Sequence, residues 1–131
     1  MTAHESFGAG SYRARCERVV DGDTIRVVAD LGLYIHITLT VRLLGVNSPE
    51  MHARETPIRA AAAAAKAFTE AWVAAAAVDG REWPLRIQTV KGEDSFGRWL
   101  ARVFRPGPAD AELCLNDDLL AAGQAVAFRP A

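Results

Sequence analysis

The sequence predicts a mainly β domain of the α+β class, a five-stranded Greek-key barrel with a long helix after the third strand and a short C-terminal helix. Three observations carry the prediction: segments in which apolar and polar residues alternate, an Asp-Gly-Asp turn, and an alanine-rich stretch with helical periodicity. With 131 residues, half of them hydrophobic, the chain can bury one sizeable core. We therefore expect a single domain over residues 11–131, preceded by a flexible N-terminal tail at residues 1–10.

The first three strands are predicted from β-branched runs and turns. RCERVV and TIRVVA flank Asp21-Gly22-Asp23, which is the pattern of a tight hairpin. In the third strand, every second residue is apolar and the residues between them are polar. The apolar residues are Ile35, Ile37, Leu39, Val41 and Leu43. This alternation predicts one core face, from which Arg42 points away.

The alanine-rich stretch predicts the long helix. Thr56 can cap it, and Pro57 suits its first position because the missing N–H costs nothing there. Asp79-Gly80 closes it. The predicted packing stripe follows three- and four-residue steps: Ile58, Ala61, Ala65, Phe68, Trp72 and Ala75.

Two more strands, at residues 85–90 and 98–104, complete the predicted five. Asn116 is expected to cap a short helix with an acidic first turn, which ends at Gly123. A meander, an inserted helix and a returning pair of strands fit a barrel of the OB type. An ordinary α+β sandwich explains the pattern nearly as well.

Composition narrows the function classes. The net charge of −1 excludes a global basic field, so any contact with nucleic acid must come from a local patch. Cys16 and Cys114 are far apart and form no CxxC pair, which argues against a zinc site and for reduced thiols. No segment resembles a signal peptide or a membrane span, and we expect a cytoplasmic protein that does not engage membranes.

Three short motifs are each weak alone, since aspartates in turns and surface arginines are common. They are DGDT, RLLGVNSPE and DSFGR, and they occur together in this order. At this point the chain resembles the staphylococcal nuclease-like, or thermonuclease, family, over residues 19–127. The resemblance implies the OB barrel with helices and a calcium-dependent hydrolysis of DNA or RNA that leaves 3′-phosphate ends.

The resemblance also implies a Ca²⁺ site. Asp23 matches a calcium ligand, Asn47 matches a second ligand, and Ser48 matches a position that offers its backbone carbonyl. Calcium takes six to eight hard oxygen ligands, so carboxylate, amide and backbone oxygens, completed by water and substrate phosphate, make a suitable set.

Three further residues match the catalytic positions of the family. Glu50 matches the carboxylate that orients or deprotonates the attacking water, while Arg42 and Arg98 match the pair that grips the scissile phosphate. Guanidinium groups suit this task because their planar fork donates to two phosphoryl oxygens and neutralises developing charge.

The chain departs from the family pattern at three positions. Asn47 stands where aspartate is most common, which predicts a calcium affinity lowered by about tenfold or more, since a neutral amide attracts the cation less strongly. Ser95 and Phe96 replace a lysine and a tyrosine, which predicts weaker substrate binding. A binding module of the OB type that holds nucleic acid without cutting it is therefore the alternative. The sequence leaves the oligomeric state open.

Overall fold

The computed structural model describes residues 10–51, 53–77, 80–93 and 97–128, without the side chains of residues 91–93. Residues 1–9 of the tail predicted at residues 1–10, and the predictions for Asp79, Ser95 and Phe96, therefore lie outside the described residues, while Gly10 begins the first strand. No described helix is long and apolar enough to cross a membrane.

Five long strands and two helices are present where the sequence predicts them. Three very short strands are added in the described part of the chain. The elements are β1 (Gly10–Asp21), β2 (Thr24–Asp30), β3 (His36–Leu43), β4 (Val46–Asn47), α1 (Thr56–Ala76), β5 (Leu85–Glu93), β6 (Trp99–Pro106), β7 (Glu112–Cys114), α2 (Leu115–Ala121) and β8 (Val126–Ala127).

The five long strands close into a barrel. Antiparallel pairing runs in the order β3-β2-β1-β5-β6, and β6 then pairs in parallel with the C-terminal end of β3. Strand β7 extends the sheet beside β6, while β4 pairs with β8 outside the barrel. This arrangement confirms the α+β fold of the OB type and the Asp-Gly-Asp hairpin, in which Asp21 pairs with Thr24.

The prediction that alternation in β3 defines a core face is wrong for the first half of the strand. Val41 and Leu43 are fully buried, but Ile37 is 45% exposed and Ile35, just before the strand, is 54% exposed. Arg42, the polar residue between Val41 and Leu43, is itself only 8% exposed. The reason is that the barrel closes on this strand only at residues 41–43, where β6 lies beside it.

Helix α1 spans the predicted stretch, but at several positions the buried residue is the one that follows the predicted residue. Its buried residues are Ala62, Ala65, Thr69, Trp72 and Ala76, whereas the predicted stripe members Ile58, Ala61 and Ala75 are exposed. Thr56 is not the cap, because Glu55 holds the extended capping backbone and Thr56 is the first helical residue. Alanines allow this shift, since small side chains on several faces can meet a sheet closely.

The prediction that Asn116 caps helix α2 is also wrong. Cys114 holds the capping backbone and Asn116 lies within the first turn, fully buried. Asp117 and Asp118 form the acidic first turn as predicted. The Asn116 side chain instead forms hydrogen bonds with three backbone groups of the barrel.

Both cysteines are free thiols. Burial raises the pKa of Cys16 to about 11 and raises the pKa of Cys114 in the same direction. At neutral pH these groups are therefore protonated and weakly nucleophilic, in keeping with thiols that serve packing.

Candidate active site

The six residues singled out by the sequence all line one open pocket of about 460 Å³. They are Asp23, Arg42, Asn47, Ser48, Glu50 and Arg98, and Asp21, Pro49 and Met51 complete the lining. Four separate segments contribute: the β1–β2 turn, the end of β3, the segment after β4, and the residue before β6. The fold therefore gathers residues that are up to 77 positions apart in the sequence, from Asp21 to Arg98.

Asp23 is the buried carboxylate of the pocket. Its Oδ2 accepts a hydrogen bond from the Ser48 backbone N–H at 2.9 Å, and its Oδ1 accepts one from the Thr24 hydroxyl at 2.9 Å. The Asp23 carboxylate thus ties the β1–β2 turn to the segment after β4. Its charge is held in a fixed place, as a metal ligand or an electrostatic partner requires.

Arg42 is the buried cation of the pocket. One end of its guanidinium, Nη1, donates to the carbonyls of Leu43 and Val46 at 2.9 and 2.7 Å. The other end, Nη2, donates to Asn47 Oδ1 at 3.1 Å and lies 3.5 Å from Asp23 Oδ2. Because Asn47 and Asp23 line the pocket, the Nη2 end is the one directed toward it.

Asn47 and Ser48 are positioned by the short β4–β8 pairing, in which Asn47 pairs with Val126. The side chain of Asn47 is exposed and points its amide oxygen at Arg42. Ser48 is buried, and its hydroxyl oxygen has no hydrogen-bond partner in the described part of the structure. An unsatisfied buried oxygen beside Asp23 marks a place where a polar ligand would be favoured.

Glu50 and Arg98 form the outer wall of the pocket. Glu50 is exposed, in the turn after Pro49, so its carboxylate can reach solvent water. Arg98 is half-buried and follows Gly97, whose positive φ of 73° turns the chain into β6. The pocket therefore has two arginines and three carboxylates, those of Asp21, Asp23 and Glu50, around an open space, which is a charge pattern suited to a phosphodiester and a water molecule.

A support that sequence reasoning missed lies beneath the Asp-Gly-Asp turn. The Thr69 hydroxyl of α1 donates to the Gly22 carbonyl at 2.7 Å, and a Cβ on Gly22 would lie 2.8 Å from the Ala65 Cβ. Only glycine fits this close approach of turn and helix. The sequence contains both the glycine of this turn and the small residues of the helix. Their contact in space could not be inferred from their spacing along the chain.

A second missed support is Asn116. Its amide donates to the carbonyls of Leu44 and Ala101 at 2.9 and 3.2 Å, and its Oδ1 accepts from the Val103 N–H at 3.1 Å. The side chain thereby joins the chain just after Arg42 to strand β6. A buried amide with all three bonds made fixes the relative placement of these two elements.

The donor set fits a calcium ion. Asp23, the Asn47 amide and the Ser48 carbonyl offer hard oxygens only, and each side-chain oxygen keeps an acceptor position beyond the bonds described above. The described residues include no cluster of three or more His, Cys, Asp or Glu side chains, so the set depends on one carboxylate and neutral oxygens. We expect such a site to bind calcium weakly.

Comparison with protein families identifies the chain's relatives. The profile of the family described as staphylococcal nuclease homologue matches residues 40–131, which is well over half of the chain. The matched range contains all of the predicted site residues except Asp23. A comparison with curated proteins found no match.

Proposed function

The chain belongs to the family of staphylococcal nuclease homologues, and from that premise we propose that it is a calcium-dependent phosphodiesterase. Its substrate would be DNA or RNA, cleaved to leave 3′-phosphate ends. The observation that carries the proposal is the single pocket in which Arg42, Arg98 and Glu50 surround the oxygens of Asp23, Asn47 and Ser48. Ca²⁺ would be held by the last three residues.

Arg42 would bind the scissile phosphate through its Nη2 end. The Nη1 end would stay on the Leu43 and Val46 carbonyls and keep the guanidinium in place, while Nη2 would exchange its contact with Asn47 Oδ1 for a phosphoryl oxygen. Arg98, which lines the same pocket, would also donate to the phosphate and share the charge that develops as water adds. Two positioned cations reduce the repulsion between a phosphodiester and its nucleophile.

Glu50 would orient the attacking water or remove its proton. Its exposure allows a water molecule to reach the carboxylate, as a general base requires. A bound calcium ion supplies Lewis-acid charge to the phosphoryl oxygen and to the water. The buried Asp23 keeps its place through Ser48 and Thr24 and would anchor that ion.

Cleavage assays on labelled single-stranded DNA and RNA test the proposal. Calcium is titrated from micromolar to tens of millimolar, product ends are mapped, and a chelator removes the metal. Glu50→Gln keeps the shape of the side chain and removes its basicity. Glu82→Gln is the matched control, because Glu82 is exposed and lies outside the pocket.

Calcium-dependent 3′-phosphate ends that disappear with chelator and in Glu50→Gln, but persist in Glu82→Gln, support the proposal. Nucleic acid that binds and remains intact at the highest calcium concentration refutes it. That second result favours a binding module of the OB type, in which Arg42 and Arg98 hold the phosphate backbone without cleavage.

A further inference from the structure

Strand β3 has one open edge. Along its full length it pairs with β2, from Thr24 opposite Arg42 to Asp30 opposite His36. On the other side, β6 pairs with it only at residues 41–43. Within the described part of the chain, residues 36–40 have no strand on that second side.

The backbone of this open edge presents unpaired hydrogen-bonding groups. The Leu43 N–H donates to the Asp23 carbonyl on the β2 side, whereas the Leu44 N–H donates to the Ala101 carbonyl on the β6 side. Because directions alternate along a strand, even-numbered residues direct their N–H and C=O groups away from β2. His36, Thr38 and Thr40 therefore offer a row of donors and acceptors for another strand.

The side chains around this edge are apolar and exposed. Between Leu31 and Val41 the only residue with an ionisable side chain besides tyrosine is His36. The hairpin tip between β2 and β3 exposes Leu33 to 91% and Tyr34 to 100%, and Leu31, Ile35 and Ile37 are each exposed to 45% or more. Leu33 and Tyr34 also hold positive φ angles of 55° and 63°, which glycine adopts more readily.

Proteins usually protect an edge strand of this kind. Charged side chains, proline, bulges or a covering segment prevent it from pairing with other chains. Residues 36–40 contain neither proline nor a permanent charge. Contiguous apolar patches of several hundred Å² on soluble proteins generally mark interaction sites.

We propose that the open edge of β3 pairs antiparallel with the same edge of a second copy of this chain. Residues 36–40 carry no permanent charge, and the neighbouring Arg26, which donates to Thr40 Oγ1, is ion-paired with Glu17, so a two-fold contact between identical edges is electrostatically permitted. One antiparallel register pairs all of residues 36–40 with the same residues of the second copy. It places Thr38 opposite Thr38, Ile37 opposite Leu39, and His36 opposite Thr40. Identical His36 side chains are then kept apart.

The size of the patch suits a dimer. Its five exposed apolar side chains offer on the order of 600 Å² per copy, which approaches the roughly 800 Å² per partner of a standard interface. In the same register each hairpin tip extends toward the start of β6 in the second copy. There Trp99 lines an apolar pocket of about 230 Å³ together with Tyr12 and Leu39, which offers space for Leu33 or Tyr34.

The first experiment measures the mass of the full chain in solution by light scattering coupled to size exclusion, from low micromolar to submillimolar protein. We expect a shift from monomer to dimer. Ile37→Lys places a charge in the contact, and Thr38→Pro removes an N–H that faces the open edge and is not used by β2. Both variants should remain monomeric over the whole range.

Leu120→Lys is the matched control. It removes an apolar side chain of comparable exposure from α2, and it should leave the dimer unchanged. Circular dichroism and thermal unfolding establish that each variant is folded. If Thr38→Pro does not fold, Ile37→Lys and the cross-linking below carry the test.

Disulfide cross-linking tests the register. Thr38→Cys should form a symmetric disulfide between two copies under mild oxidation, since directly opposed residues of a hydrogen-bonded pair lie about 5.5 Å apart at Cα. Thr40→Cys, which faces His36 in this register, should cross-link far less. The unmodified chain controls for Cys16.

A chain that stays monomeric at submillimolar concentration overturns the proposal, as does a dimer that persists in Ile37→Lys and Thr38→Pro. Equal cross-linking of Thr38→Cys and Thr40→Cys overturns the register. A monomer that sediments with anionic phospholipid vesicles, and loses this binding in Ile37→Lys, would also overturn it and assign the patch to a lipid surface.

Discussion

The two ends of strand β3 differ in which residues they bury: a charged residue is buried at one end, and an apolar residue is exposed at the other. At the C-terminal end, Arg42 is 8% exposed and makes hydrogen bonds to two backbone carbonyls and to Asn47. At the N-terminal end, Ile37 is 45% exposed on a strand with one open edge. The alternation of apolar and polar residues is the same in both halves.

The difference shows that neighbours decide burial. Around Arg42, strand β6, the turn before β4 and the Asp-Gly-Asp turn enclose the side chain and satisfy its donors. Around Ile37, β2 is the only strand adjacent in the sheet within the described part of the chain. In the C-terminal part of β3, residues 41–43 (the enclosed half), the charge of Arg42 is tolerated because both ends of its guanidinium have partners. In the N-terminal part, residues 36–40 (the open half), apolar groups gain little until another surface covers them.

If the enclosed half depends on its cation, Arg42→Met should have the largest effect. It should lower the free energy of unfolding by about 3 kcal/mol and abolish cleavage, because the Leu43 and Val46 carbonyls lose their donor. Chemical denaturation and the cleavage assay measure both effects. The half-exposed Arg26→Met should cost less than about 1 kcal/mol. Equal losses in the two variants would contradict the role given to burial.

Close packing beneath the site predicts a smaller loss for Gly22→Ala. The new Cβ would lie 2.8 Å from the Ala65 Cβ and 3.0 Å from the Ser48 Cβ, so we expect a cost of about 1–3 kcal/mol. Denaturant unfolding of Gly22→Ala, Ala65→Gly and the double variant gives the coupling. Additive effects would show that the turn and helix do not crowd each other.

The weak donor set of the enclosed half can be strengthened by Asn47→Asp. We expect calcium affinity to rise about tenfold or more, equivalent to at least about 1.4 kcal/mol, because a second carboxylate faces the cation. Calorimetric titration of calcium into both proteins measures this. Asn47→Ala should weaken binding, and an unchanged affinity in Asn47→Asp would exclude this position from the metal site.

In the open half, Ile37→Ser should change the free energy of unfolding by less than about 1 kcal/mol. Its neighbour in the enclosed half, Leu43→Ala, should cost about 3 kcal/mol because Leu43 is fully buried. Both are measured at low micromolar protein, so that self-association does not add to stability. A large loss in Ile37→Ser under these conditions would show that the open half is already covered within one chain.

The smallest effect concerns the hairpin tip. The Gly32 N–H donates to Asp30 Oδ1 at 2.9 Å and Arg13 pairs with Oδ2, which together hold the pKa of Asp30 below its usual range. The contribution to stability is therefore present above the ordinary pKa of an aspartate and is lost as pH falls through the folded-state pKa. An NMR titration of the Asp30 carboxyl measures the shift. A normal pKa, or no loss of Gly32 amide protection in Asp30→Ala, would contradict it.

Much of the fold could be predicted because its signals are local. The Asp-Gly-Asp turn defines the first hairpin, alternation defines the strands, and the three motifs that resemble the nuclease family identify the residues of the pocket. The helix stripe and the role of Asn116 could not be predicted. Alanine on several faces leaves the packing face undetermined. An amide near a helix start resembles a cap even when its partners are strand β6 and Leu44, the residue that follows β3.

The sequence by itself determined the order of the elements and the chemical groups of the candidate site, because turn residues, periodicity and motif spacing act over a few positions. Only the tertiary structure decided that Arg42 is buried while Ile35 and Ile37 are exposed, and that Asn47 meets Arg42. The physical reason is that burial and hydrogen-bond partners depend on which distant segments the closed barrel brings together. Alternation specifies the side of a strand on which a residue lies, and barrel closure specifies what covers that side.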